Sequence, residues 1–279
     1  MQNPSYLIVT AALAAAWATA TAPEAPNAAS TLPSETKVVP VDSSTMALHL
    51  SGSGKVAIIL EAGSGGDHRN WSSVQPLLSR LGHVVSYDRL DYRGSGRSNR
   101  PRTAVVIAEQ LREGLRRARV DPPFVLVGHS YGGDLMRVFA SQYPNEIRGM
   151  VLVDPPMEDF YTRATVEAPQ AYLAALEDAL THDDKNASET LKREYLAYET
   201  SMLQTRLARP LPGSKIVLIS AGKQLENSAA LRRIWLEEQT EWAKKVGARH
   251  IVVNTGHNIP KERPQAVVDA VRSLLEDSR

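Results

Sequence analysis

Apolar, β-branched runs bounded by Gly, Pro and Asp recur along the chain at residues 56–60, 84–87, 124–127, 150–153, 216–219 and 251–253. Short unbroken runs of this kind predict strands buried on both faces. Between most of them the spacing changes to that of amphipathic helices, at 71–81, 104–118, 135–143, 229–246 and 265–275. Strand and helix in alternation predict an α/β architecture, a mainly parallel sheet with helices on both faces. Two further extended pieces, 36–41 and 46–50, flank the turn residues Asp42-Ser43-Ser44. They predict an antiparallel hairpin at the sheet edge, which brings the sheet to eight strands.

The alternation breaks once. Pro155-Pro156 opens, and Pro210-Leu211-Pro212-Gly213 closes, a stretch without strand signal. Inside it, 171–180 and 188–207 have helical periodicity, with Leu173, Leu176 and Leu180, then Leu191, Tyr195, Tyr198 and Met202, marking the apolar faces. We read 155–212 as a helical lid inserted into a core made of 36–154 and 213–279. The Tyr and Met stripe is read as packing onto the core rather than as ligand contact. The first residues differ from all of this. An alanine-rich apolar run at 7–17 is followed by Ala18-Thr19-Ala20, which suits a signal peptidase, so 1–20 reads as an export signal and 21–35 as a flexible leader. The run is too short to span a bilayer, so no stable membrane span is expected.

Charge and composition narrow the partners. The 279 residues carry 32 Lys and Arg against 31 Asp and Glu, leaving no summed field to attract nucleic acid or an anionic membrane. Arg112, Arg116, Arg117 and Arg119 follow helical spacing and read as a solvated helix face. The chain has no cysteine, which excludes disulfides, thiolate metal sites and a cysteine nucleophile. The seven histidines are scattered singly, with no metal-ligand spacing, and neither a metal nor another cofactor is implied. Oligomeric state is left open.

The chemistry is concentrated in Gly128-His129-Ser130-Tyr131-Gly132, a GxSxG run that follows a buried-strand pattern and opens a helix. A serine at so sharp a turn sits in strained backbone closely approached by neighbouring chain, which requires residues without a Cβ on either side. Its hydroxyl then lies at a helix N-terminus, where backbone amides favour developing negative charge. His129 reads as a packing residue. With this motif in place, the chain resembles the α/β-hydrolase superfamily from about Thr36 to Leu275. Three other segments match in order. Residues 58–66, ending Glu61-Ala62-Gly63-Ser64-Gly65-Gly66, resemble the strand and glycine-rich loop that supplies half of the oxyanion hole, with Ala62-Gly63 where the family often has His-Gly. Tyr87-Asp88-Arg89 and the glycine-rich 93–98 resemble a bracing loop, in which Asp88 and Ser98 would be structural. Ile251 to Pro260, containing Gly256-His257, resembles the catalytic histidine segment.

The resemblance implies a serine hydrolase in which Ser130 attacks an acyl carbon, His257 is its base, and the amides of Ser64 and Tyr131 hold the oxyanion. The acid stays open. The family's usual aspartate position, after the strand at 216–219, holds Lys223-Gln224-Leu225-Glu226 instead. Some members place the acid after the preceding strand, where this chain has Asp154. Asp154 is the first choice, Glu226 the alternative, and Glu158 or Asp159 remain; Asp154 could also serve merely as a turn cap before Pro155. The implied reaction is hydrolysis of a small to medium carboxylic ester, with amide, lactone or carbon–carbon cleavage as alternatives, and the partner is a small acyl substrate. A different class, a non-catalytic binding protein on the same fold, has no need for elbow, glycine loop and Gly-His loop together. The N-terminal reading is checked by sequencing protein recovered from its host: the mature chain should begin at Thr21, and an intact Met1 on cytoplasmic protein would refute export.

Overall fold

The protein, seen in a computed structural model, is described at residues 34–183, 189–212, 215–225 and 227–276, the side chains of 178–183 excepted. The export signal and nearly all of the leader therefore lie outside the described residues. The strands are β1 (Ser34–Val41), β2 (Ser44–Ser51), β3 (Ala57–Glu61), β4 (His83–Tyr87), β5 (Phe124–His129), β6 (Ile147–Val153), β7 (Ile216–Ala221) and β8 (Arg249–Val253). They form one eight-stranded sheet in the order β1-β2-β4-β3-β5-β6-β7-β8. β1 and β2 form the edge hairpin, β2 meets β4 antiparallel, and every later pairing is parallel.

The core helices are α1 (Gln75–Leu78), α2 (Ala104–Arg117), α3 (Tyr131–Gln142), α8 (Ala229–Val246), α9 (Ile259–Glu262) and α10 (Pro264–Glu276). Between β6 and β7 lie α4 (Phe160–Glu167), α5 (Pro169–Asp183), α6 (Glu189–Leu196) and α7 (Tyr198–Leu207). The unbroken apolar strand runs follow from the two-sided burial. Phe124 and Leu126 of β5 join one apolar layer with α2, α3 and α8, while Val125 and Val127 join the other with Trp71, Leu78 and α10. Adjacent residues of a strand face opposite ways, so a centre strand must be apolar throughout. None of the helices among the described residues is long and apolar enough to cross a membrane.

Several boundaries differ from the sequence pattern. The helix expected at 71–81 is a 3₁₀ turn (His68–Trp71) followed by the single turn α1, because Pro76 is accommodated only in the first turn of a helix. Helix α3 begins four residues before its expected start, directly at the elbow. The stretch 188–207 is two helices, α6 and α7, parted at Ala197, and α4 was not anticipated at all. Leu191 and Glu194 of α6 and Tyr198 and Ser201 of α7 are all buried, at the spacing of one helix face carried across the break. Leu173 is exposed although it was assigned to the apolar face; Leu176 is buried, and the Leu180 side chain lies outside the described residues. Tyr198, Tyr195 and Met202 pack onto the main apolar layer. Of the basic cluster, Arg116 and Arg117 pair with Glu113, and Arg112 with Glu146.

The difference between a centre strand and the edge can be measured. Leu126→Ala, at a fully buried position of β5, should lower the unfolding free energy by about 3 kcal/mol in urea titration. Val252→Thr, on the 55% exposed side of edge strand β8, should change it by less than about 0.5 kcal/mol.

Candidate active site

At the end of β5 the chain turns into α3 within one residue, Ser130, whose φ of 53° and ψ of −131° lie outside ordinary L-residue backbone. The turn is held by Ser130 N–H donating to Val153 O (2.9 Å) and Gly133 N–H donating to Ser130 O (2.8 Å). The flanking glycines are there for want of space. A Cβ on Gly128 would stand 2.3 Å from Gly132 O, and one on Gly132 would stand 2.4 Å from Glu61 O. The same crowding brings the loop after β3 against the serine: a Cβ on Gly63 would lie 3.1 Å from the Ser130 Cβ. Strained residues of this kind gather at functional sites. Tyr131 is the first residue of α3, where backbone amides have no partner within the helix. Its ring is buried and its hydroxyl donates to Ser201 Oγ of the lid at 3.0 Å.

Asp154 directly follows β6 and, like Ser130, has positive φ, 46°. Its carboxylate is fully buried. One oxygen, Oδ1, accepts from the Ala221 amide (3.0 Å), the Trp235 indole N–H (2.9 Å) and the Gln239 amide (3.1 Å). The other, Oδ2, lies 2.7 Å from His257 Nδ1. Trp235 and Gln239 stand four apart on α8, one turn above the other. Sequence reasoning missed both; the available signal was a glutamine beside a tryptophan on the inward face of the helix. Glu226, the alternative acid, lies outside the described residues. Glu158 is hydrogen-bonded to Arg137, and Asp159 to Arg206 at 2.7 Å.

His257 is nearly buried and its ring packs 4.7 Å from that of His129. His129 Nε2 lies 2.9 Å from the His257 carbonyl oxygen, to which a neutral imidazole donates. Burial, then the neighbouring His257, push His129 down to a pKa of about 3. His129 is therefore neutral and fixes the His257 backbone. Ser64 is buried next to Gly65, whose φ is +70°. Asp88 is buried and hydrogen-bonded to His68 Nδ1 at 2.7 Å, and it also accepts from the amides of His68 and Gly94. Burial raises its pKa, but the neighbouring His49 and the hydrogen bonds from His68 and Gly94 outweigh it and hold the carboxylate well below its usual range. Ser98 Oγ accepts from Gln110 Nε2 and the Arg100 amide, both at 3.1 Å, consistent with a bracing part.

The fold does assemble one histidine cluster that spacing along the chain conceals. The nearest ligand atoms of His49, His68 and Asp88 lie within 4.8 Å of one another. The two rings are stacked at 3.6 Å with 26° between their planes, so a single cation could not lie in both planes, and Asp88 is already occupied by hydrogen bonds. A cleft of about 490 Å³ between α3, α8 and the lid base is lined by Arg137, Met157, Glu158, Arg206 and Trp242, and none of Ser130, His257, Asp154, Ser64 or Tyr131 borders it.

Comparison with known proteins agrees with the fold. The family model of the alpha/beta hydrolase fold matches residues 56–249, so the chain belongs to the α/β-hydrolase family. The chain is 27% identical over 231 residues to the uncharacterized protein YqjL of Bacillus subtilis (strain 168), covering 78% of this chain and 83% of that protein. It is 26% identical over 209 residues to methylesterase 8 of Arabidopsis thaliana, covering 71% and 72%. The solved structure of the epoxide hydrolase CorEH without ligand superposes with a TM-score of 0.62 at 16% identity, covering 88% of this chain and all of that one, a likeness of fold.

The buried neutral His129 has a consequence for stability. Its folded pKa is depressed from 6.5 to about 3, so as pH falls the unfolded chain takes the proton first. The contribution is fully present above pH 6.5 and is lost on acidification toward 3, at about 1.4 kcal/mol per pH unit. His129→Gln should therefore flatten the decline of the urea midpoint between pH 6.5 and 5. Equal slopes in the two proteins would rule out a neutral buried His129.

Proposed function

We propose that this α/β hydrolase cleaves a small to medium carboxylic ester through an acyl-enzyme formed on Ser130. The single observation that carries the reading is the buried hydrogen bond of 2.7 Å between His257 Nδ1 and Asp154 Oδ2. An acceptor at Nδ1 keeps that nitrogen protonated and leaves Nε2 as the basic atom. In the proposed reaction Ser130 Oγ attacks the ester carbon while its proton passes to His257. The imidazolium is stabilised by Asp154, whose own position is set by Ala221, Trp235 and Gln239. The Ser64 and Tyr131 amides receive the charge that develops on the carbonyl oxygen. His257 then protonates the departing alcohol and activates the water that releases the acid.

The serine at the elbow supports acyl chemistry over the alkyl chemistry of hydrolases that carry an aspartate there, and the methylesterase relative supports an ester as the bond. The fold alone does not choose the substrate. Export through residues 1–20 is part of the same proposal.

Fluorophosphonate labelling followed by peptide mass spectrometry should place one adduct on Ser130. Ser130→Ala should abolish the adduct and lower turnover of a short-chain aryl ester by several orders of magnitude with the fold intact. Asp154→Asn should cost on the order of ten-thousand-fold, as in comparable triads, while Glu226→Gln should be nearly silent. Absence of any adduct in folded wild-type protein would favour a binding protein instead.

A further inference from the structure

Arg89 is an arginine in the middle of the protein, 1% exposed, between two equally buried glutamates. Each of its five N–H groups has an acceptor. Nε donates to Glu194 Oε1 (2.7 Å), Nη1 to Glu61 Oε1 (2.7 Å) and to Ala62 O (2.8 Å), and Nη2 to Gly63 O (2.8 Å) and to Glu194 Oε2 (3.2 Å). Tyr92 OH donates to Glu194 Oε2 at 2.8 Å, and Tyr87 OH donates to Glu61. Glu61 ends β3, but Glu194 belongs to lid helix α6. That helix is fastened to the same region at two further points: Thr190 Oγ1 donates to Asp91 O (2.9 Å), and Arg193 pairs with the Asp91 carboxylate at 2.8 Å.

The acceptor at Gly63 matters most. The Gly63 carbonyl and the Ser64 N–H are two ends of one planar trans peptide and point in opposite directions. A cation fixed on the oxygen end sets where the N–H end points and, by polarising the peptide, makes it a stronger donor. We propose that Arg89, held in place by Glu194 of the lid, is a positioning residue for the oxyanion-binding amide of Ser64. The lid thus reaches the reacting atoms through a carboxylate, a guanidinium and a peptide group. Leu191, one turn before Glu194, lies against Gly65 of the same loop: a Cβ there would be 3.6 Å from the leucine. This inference rests on the acyl-transfer reading above and adds to it the residues that aim one of its donors.

The test uses the full chain with Glu194→Gln, which keeps shape and one acceptor oxygen, and Glu194→Asp as the conservative partner. Glu194→Gln should lower kcat for an aryl acetate about tenfold, a fraction of the effect of deleting an oxyanion donor outright, with KM within about twofold. Affinity for a trifluoromethyl ketone, whose adduct with Ser130 carries an oxyanion, should fall by the same factor, while a methyl ketone that forms no adduct should bind unchanged. Glu194→Asp should recover part of the loss. In protein labelled with ¹⁵N-serine, the Ser64 amide signal, identified by its absence in Ser64→Ala, should move in Glu194→Gln without any ligand. A lowered melting temperature with unchanged kcat, adduct affinity and Ser64 signal would overturn the inference and leave Arg89 a fold brace. If wild-type protein takes no fluorophosphonate, the acyl-transfer reading fails, and the Ser64 signal still reports whether Glu194 governs that peptide.

Discussion

No side-chain atom fits between the turn at residues 128–132 and the backbone at the end of β3. Gly132 rests on Glu61 O and Ala62 O, and Gly128 rests on Gly132. The contact places the start of α3 beside the loop after β3, so that Gly63, next to Ser64, lies against the Ser130 side chain. The pairings of β3 with β5 and of β5 with β6 then bring Asp154 to the same sheet edge. Remove the close approach and the serine, the loop and the carboxylate no longer share a floor.

What could be read from the sequence follows from what is local. Strand runs, the edge hairpin and the interruption at Pro155 depend on neighbours within about ten residues, and those elements stand in the structure with shifted ends. The errors have one local cause and one distant one. Pro76 confines the helix expected at 71–81 to a start at Gln75, and the burial of Glu194 depends on Arg89, more than a hundred residues away. The elbow was legible because strain and close packing must be written as glycines. The carboxylate that meets His257 was not, because the place of Asp154 depends on Trp235 and Gln239 arriving from α8, and no spacing in the sequence reports that. The stacked pair His49 and His68 escaped for the same reason.

The lid is held by unlike means at its two ends. Near the elbow it is anchored by buried ion pairs and hydrogen bonds from α6, where removal of one member leaves a charge without its partner in a dry interior. Across α4, Arg163 reaches Glu237 and Glu238 of α8 and Glu167 of its own helix. Ion pairs as open to water as Arg163–Glu167 hold more weakly. The buried ties are thus concentrated where α6 meets the loop after β3.

The lid leaves the sheet after β6 and returns at β7, two adjacent parallel strands, so in topology it is a module that could be exchanged without cutting any strand pairing. Arg89 limits that freedom. Any replacement cap that left out a carboxylate at the position of Glu194 would strand a guanidinium inside the core with one anion fewer to balance it. Lineages of this fold that vary their caps while keeping this arginine should therefore inherit an acidic residue on the cap along with it, and those that lose one should lose both.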